Sequence, residues 1–373
     1  MPMKNTRTLR RGMAGLIALV LAGACTPAPA QTPANSGFDL DPDWPQPFQE
    51  NWVLGSVTGV AVDGRGHIWV THAQGMATAA AHGAAADPPV SLCCVPAPGV
   101  MEFDRQGALV QSWDTSSGDY AWPDVPHGIY VDHNDFVWVA SRPHHQLLKF
   151  DRDGELVLTI GELDVTAGSN DPDRLGNPAG VWVDPGTNEV FVADGYRNRR
   201  VVVYDGESGE YLRHWGAYGE TPDDDYVYGP RGADAPPARQ FGTVHGIVGS
   251  ADGLIYVADR RNNRVQVFQQ DGTFVQEKVV APATLASGSA FDVALSPGPD
   301  QDFLYLMDGT NHKIWVLQRS DLEVVDELGR GGYQVGQFVR PHNIATDAEG
   351  NIYTSEAETK RVQRFVPRGA YAP

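Results

Sequence analysis

Six stretches of this 373-residue chain begin alike: TGVAVD at 58–63, HGIYVD at 127–132, AGVWVD at 179–184, HGIV at 245–248, FDVAL at 291–295 and HNIATD at 342–347. Each is followed by a tight turn and a second apolar run: HIWVTH, FVWVAS, EVFVAD, LIYVAD, FLYLMD and NIYTSE. A third run comes next, such as RVVVY at 200–204, RVQVF at 264–268 and RVQRF at 361–365. A turn such as DRDG or QQDG then leads to a fourth, ELVLTI or TFVQEK. Alternating residues bounded by Gly/Asp turns are the strand signal. A unit of this size cannot bury its own apolar faces and must stack on its neighbours. Four strands in roughly 40–50 residues make a β-propeller blade. The expected fold is all-β, a six-bladed β-propeller of four-stranded blades. The sixth unit ends too close to Pro373 for a fourth strand. Residues 50–55 (ENWVLG), ahead of the first unit, are expected to supply it and close the ring, which removes the exposed edges.

Composition serves to exclude. With 42% hydrophobic and 9% aromatic residues the chain is not disordered. The net charge is −19, and the part beyond the basic N-terminus is more acidic still. Such a surface repels phosphate backbones and anionic lipid, so no nucleic-acid partner is expected. Three cysteines exclude a disulfide scaffold. Adjacent Cys93 and Cys94 read as a free or mutually bonded pair in a loop, without the spacing of a metal site.

The N-terminus reads as an export signal. Residues 4–11 are basic, and 13–24 (MAGLIALVLAGA) are apolar but too short to span a bilayer. Two cleavage readings stand side by side: after Ala30 in APA, giving a signal of 1–30, or before Cys25 in a lipobox-like LAGAC, giving a signal of 1–24 and a lipid anchor. Arg10-Arg11 is a weak twin-arginine signal. Residues 31–49 then form a Pro/Ala-rich linker and 50–368 the propeller. The expected location is the periplasm, the envelope or the medium, with membrane contact only through Cys25.

Antiparallel neighbours put the start of strand one and the loop between strands two and three on one face of the disc. The long insertions, 72–98, 163–176 and 216–240, all fall there, while the other face has only tight turns. Function usually sits in elaborated loops. The first residue of strand one is His in units two, four and six, and Thr, Ala or Phe in the others. Strand one lines the central channel, and alternate blades of six stand 120° apart. His127, His245 and His342 are therefore expected to converge on the axis. Three imidazoles with an open fourth position are a catalytic zinc arrangement. The alternative is that each packs within its own blade. His145, His312, Asp194, Asp259 and Asp308 read as structural. The end of strand two lies on the same face: His72-Ala73-Gln74, Ser141-Arg142-Pro143, Asp194-Gly195-Tyr196, Asp259-Arg260-Arg261, Asp308-Gly309-Thr310 and Glu356-Ala357-Glu358. From adjacent blades, Tyr196 and Arg260 are placed to lean over the metal. Tyr196 would act as base, and Arg260 would hold a substrate carboxylate by a two-pronged contact.

NNR at 262–264 and TNHK at 310–313 resemble NHL repeats, a propeller family. The chain also resembles the peptidyl-α-hydroxyglycine α-amidating lyases over nearly all of 51–367. The similarity is closest in Asp194–Arg200 through Trp215-Gly216, in Val244-His245, in Ala258-Asp259-Arg260 through Arg264-Val265, and in Pro341-His342. The resemblance implies zinc on His127, His245 and His342, a structural calcium, a catalytic tyrosine at Tyr196 and an active-site arginine at Arg260. It implies cleavage of a C–N bond in an α-hydroxyglycine to amide and glyoxylate. There are departures. Ala73 stands where the family has a second arginine, and Arg340 stands where it has methionine, offering a cation from another direction. Asn343 replaces the calcium-holding Asp, and Arg197 replaces a cysteine.

Three functions follow as expectations: a zinc lyase on an N-acyl-α-hydroxyglycine or similar hydroxy acid, a zinc hydrolase of esters, lactones or amides on the same site, and a non-catalytic NHL-type binding module. The substrate would be a small or peptide-derived molecule. Three histidines suit iron or cobalt as well as zinc. No serine elbow or Cys–His motif offers a rival centre.

Overall fold

The computed structural model describes Met1 and residues 37–48, 50–113, 115 and 120–372. The expected signal segment after Met1, Cys25 included, and linker residues 31–36 and 49 lie outside them. Six four-stranded antiparallel sheets form the blades. Their innermost strands are Ser56–Val62, Ile129–Val131, Gly180–Val183, Val244–Gly249, Asp292–Leu295 and Pro341–Thr346. Each touches the next around the ring, and the last touches the first. Strands two and three are buried on both faces. In blade three, Val190, Phe191, Val192 and Ala193 and their partners Val201, Val202 and Val203 are all fully buried. This continuous β-branched and aromatic character suits a sheet sandwiched between two others. The outermost strands alternate instead, leaving Val110, Leu212, Val275 and Val325 exposed.

The ring closes through the N-terminal side, by a different segment from the one expected. Phe38–Asp41 pairs antiparallel with Arg361–Pro367, placing Leu40 opposite Phe365. Arg364 Nε also donates to the Asp41 carboxylate at 3.0 Å. Within residues 50–55, Trp52–Val53 pairs in parallel with Val95–Pro96. The reason is distance. A fourth strand lies three strand spacings, about 14 Å, from the first, whereas blade one's inner strand starts at Ser56. A segment ending at 55 cannot stand at the rim. The chain between needs length to cross from rim to hub, and Trp44, Phe48, Trp52 and Leu54 pack into the blade-one core on the way. The propeller thus begins at Phe38 rather than residue 50.

The trimmed face is built from one repeated turn. Oδ1 of Asp63, Asp104, Asp132, Asp151 and Asp347 each accepts backbone N–H groups two and four residues on. An Asp that caps its own turn leaves no reason for a longer loop.

Candidate functional site

Local irregularity aims the histidines. Val244 pairs with Asp259 and Gly246 with Ala258, so His245 is the extra residue of a bulge. A second shift, between Pro341 and Ile344, contains His342. Bulges re-aim side chains at sites. His127 precedes its strand and is held by its N–H donating to Ala140 O at 2.9 Å. The three imidazoles are buried, with ring centroids 4.6 to 4.9 Å apart. One nitrogen of each lies within 4.8 Å of the others, close enough for one ion to hold all three.

The other three blades orient them. His127 Nδ1 lies 2.8 Å from Ala179 O, His245 Nδ1 2.6 Å from Phe291 O, and His342 Nδ1 3.0 Å from Thr58 O. A carbonyl only accepts, so each Nδ1 carries its proton and each Nε2 keeps its lone pair. In blades three, five and one, Ala179, Phe291 and Thr58 stand at the sequence register that the histidines hold in the other three. Ligand and orienting carbonyl therefore alternate around the hub, as they must if metal-ligating imidazoles are fixed through their second nitrogen. Burial pushes His342 down to about 4 and holds His127 and His245 well below 6.5. The His342 and Arg142 charges add to the effect at His127, and Arg260 adds to it at His245. Neutral imidazoles with inward lone pairs fit a divalent transition-metal ion.

Tyr196 reaches the same point. Its Oη stands 3.0 Å from His127 Nε2 and 3.1 Å from His245 Nε2. Gly195 makes this possible, because a Cβ there would stand 2.1 Å from the backbone N and O of Val244. Arg260 Nη1 donates to Tyr196 Oη at 2.9 Å, and its guanidinium lies 4.9 Å from the tyrosine ring centre and 5.0 Å from that of Phe291. Arg340 is exposed. Its charge lowers His342, but among the described residues its guanidinium makes no hydrogen bond to the triad or Tyr196. The sequence reading assigned no role to Arg142, whose guanidinium lies 4.7 Å from the Tyr196 ring centre. The signal was present: Arg142 and Arg260 occupy the same register in the blades flanking that of Tyr196.

The residues read as structural are engaged. Asp194 accepts from Gly176 N, Asn198 and Arg200, and Asp259 from Gly242 N, Asn262 and Arg264. His145 Nδ1 accepts from Asn177 N and His312 Nδ1 from Arg340 N. A second cluster, Asp63, His67 and Glu102, is already occupied by Arg152, which pairs with both carboxylates. Asn343 Oδ1 faces His342 Nδ1 at 2.6 Å, and its Nδ2 donates to Asp292 Oδ2. Asp292 is buried, its carboxyl raised to about 7 by desolvation, and it also accepts from Ile344 N. Where a carboxylate would serve calcium, Asn343 brings an amide, and the carboxylate beside it, Asp292, is already engaged by Asn343 and Ile344 N. Cys93 and Cys94 are bonded to each other.

Comparison with known proteins agrees with the fold. The NHL repeat pattern matches residues 241–268. The chain is 30% identical over 268 residues to peptidyl-alpha-hydroxyglycine alpha-amidating lyase 1 of Drosophila melanogaster, covering 67% of this chain and 46% of that one. It is 28% identical over 258 residues to peptidyl-glycine alpha-amidating monooxygenase B of Xenopus laevis, covering 66% and 26%. It thus spans less than half the length of these relatives. It is 26% identical over 302 residues to NHL repeat-containing protein 3 of Mus musculus, covering 74% and 75%. A streptogramin B lyase structure superposes with a TM-score of 0.55 at 11% identity, over 89% of this chain and 98% of that one, a likeness of fold alone.

Proposed function

Because this chain is an NHL-repeat six-bladed propeller that resembles the peptidyl-α-hydroxyglycine α-amidating lyases, we propose that it is a metal-dependent carbon–nitrogen lyase acting on an N-acyl-α-hydroxyglycine. One observation carries the reading: Tyr196 Oη meets two of the three histidine Nε2 atoms and accepts from Arg260. That is a proton acceptor, a cation and a metal-ligand set within one hydrogen-bond shell.

His127, His245 and His342 would hold the ion, which when bound supplies Lewis acidity to a substrate oxygen. Arg260 holds the substrate carboxylate and meets any negative charge that develops on Tyr196 Oη. As its phenolate, the anion that Arg260 meets, Tyr196 takes the hydroxyl proton and becomes the neutral phenol. The O–H electron pair becomes the carbonyl π bond of glyoxylate, the C–N pair returns to nitrogen, and nitrogen takes up a proton, giving the amide. Phe291, packed against His245, His342 and Arg260, gives the hub an apolar wall that limits water. The N-terminal signal supports action outside the cytoplasm.

The test is glyoxylate release from N-benzoyl-α-hydroxyglycine by zinc-loaded protein. No release with zinc bound would overturn the lyase reading. A binding-module reading draws on the fuller span shared with NHL repeat-containing protein 3. It expects no metal at the hub.

A further inference from the structure

We propose that Arg142 is a specificity-determining residue of this site, binding the substrate carboxylate together with Arg260 and restricting the enzyme to substrates with a free α-carboxylate. The inference rests on the lyase reading above and names the group that selects its substrate.

The argument is one of unmet donors. In this acid-rich chain, guanidinium groups commonly close on carboxylates, as Arg152, Arg200, Arg213, Arg264, Arg361 and Arg364 do. Arg142 and Arg260 do not. Among the described residues neither pairs with an acid, and Nε of each is buried without a partner. Arg260 uses one donor on Tyr196 Oη. Among the described residues the Arg142 side chain makes no hydrogen bond; only its backbone carbonyl is used, by Asn177 Nδ2 and His145 N. A partly buried guanidinium with five idle donors is costly unless an anion completes it.

Position says which anion. The two arginines lie 4.7 and 4.9 Å from the ring centre of Tyr196, one from the blade on each side of it. Their charges are felt at the ligands, Arg142 at His127 and Arg260 at His245. An acid bound between them would hold its α-carbon beside Tyr196 Oη and the hub. Planar two-pronged contacts suit a carboxylate. An ester or amide at that position offers no charge to meet them.

The experiment pairs catalysis with binding. Zinc-loaded wild type, Arg142→Gln and Arg142→Lys are compared on N-benzoyl-α-hydroxyglycine and its methyl ester. Calorimetry with N-benzoylglycine, which lacks the hydroxyl and is not cleaved, measures binding alone. The Gln variant is expected to keep its zinc, to lose roughly 10- to 100-fold in kcat/KM on the acid, mainly through KM, and to bind N-benzoylglycine more weakly by a similar factor. Turnover of the ester should not change. The Lys variant should recover part of the loss. The Tm of the Gln variant should fall little, because among the described residues the Arg142 side chain has no hydrogen bond or ion pair and only the Tyr196 ring beside it, whereas a structural arginine would lower it. Unchanged binding of N-benzoylglycine by Arg142→Gln would overturn the clamp whatever the turnover. Arg142-dependent binding without any glyoxylate release would keep the clamp and remove the lyase.

Discussion

The phenol oxygen of Tyr196 stands 3.0 Å from Nε2 of His127, although 69 positions separate them and they belong to neighbouring blades. If His127 ligates a metal as proposed, a base held this close would act on whatever atom shares the fourth position. Tyr196→Phe removes the oxygen and leaves the three imidazoles, their carbonyl partners and the packing. Zinc content should stay at one per chain, while glyoxylate release falls by roughly 10²- to 10⁴-fold, the usual contribution of a positioned acid–base group. Ester or lactone turnover that survives this change but is lost in His245→Ala would instead point to a hydrolase.

Metal should be bound by all three blades at once. His245→Ala leaves two imidazoles and an uncapped Phe291 carbonyl. Zinc should then raise the Tm of the wild type but not of the variant, because a ligand at 100 times its Kd stabilises the native state by about 2.7 kcal/mol only where the site exists. Thermal scans with and without zinc, with metal analysis of the dialysed proteins, decide it. Equal shifts in both proteins would place the ion elsewhere.

Gly195 separates positioning from folding. A methyl group there meets Val244 N and O at 2.1 Å, so in Gly195→Ala the loop carrying Tyr196 must move off the strand carrying His245. Activity should fall at least tenfold, while stability drops by about 1–2 kcal/mol, as for an ordinary steric conflict. Steady-state kinetics beside urea denaturation measures the two. Full activity would mean that the tyrosine's position is not set by this contact.

The fold and the triad were legible for one reason: a repeat converts sequence register into angle, so His at every second strand start becomes three side chains at one hub. What orients them was not legible. The partners of His127, His245 and His342 are the backbone carbonyls of Ala179, Phe291 and Thr58, and a carbonyl has no residue type. The bulge at His245 is likewise a matter of strand pairing, with no side-chain signature. Arg142 was visible in the right register, but its significance lies in the absence, among the described residues, of any acid paired with it, which only the fold reveals. The closing strand was misplaced because the apolar pattern of 50–55 carries no information on how far the chain must travel from rim to hub.

Acid should destabilise the propeller through His72, a histidine with no place at the hub. It is fully buried, with Nδ1 accepting from Gly55 N at 3.0 Å and Nε2 donating to Pro98 O at 2.9 Å. Burial pushes it down to about 4, from 6.5. Because the folded value is the lower one, the unfolded chain takes the proton first as pH falls. The contribution is whole above about 6.5, drains between 6.5 and 4, and is spent below that. A shift of this size corresponds to about 2–3 kcal/mol lost by pH 4.5. His72→Gln keeps an acceptor and a donor in the same places but does not titrate. Urea unfolding of both proteins at pH 7 and pH 4.5 should show the wild type losing more stability than the variant by that amount. The hub histidines titrate in both and cancel from the comparison. Equal losses would mean that His72 is not the group whose protonation weakens the fold.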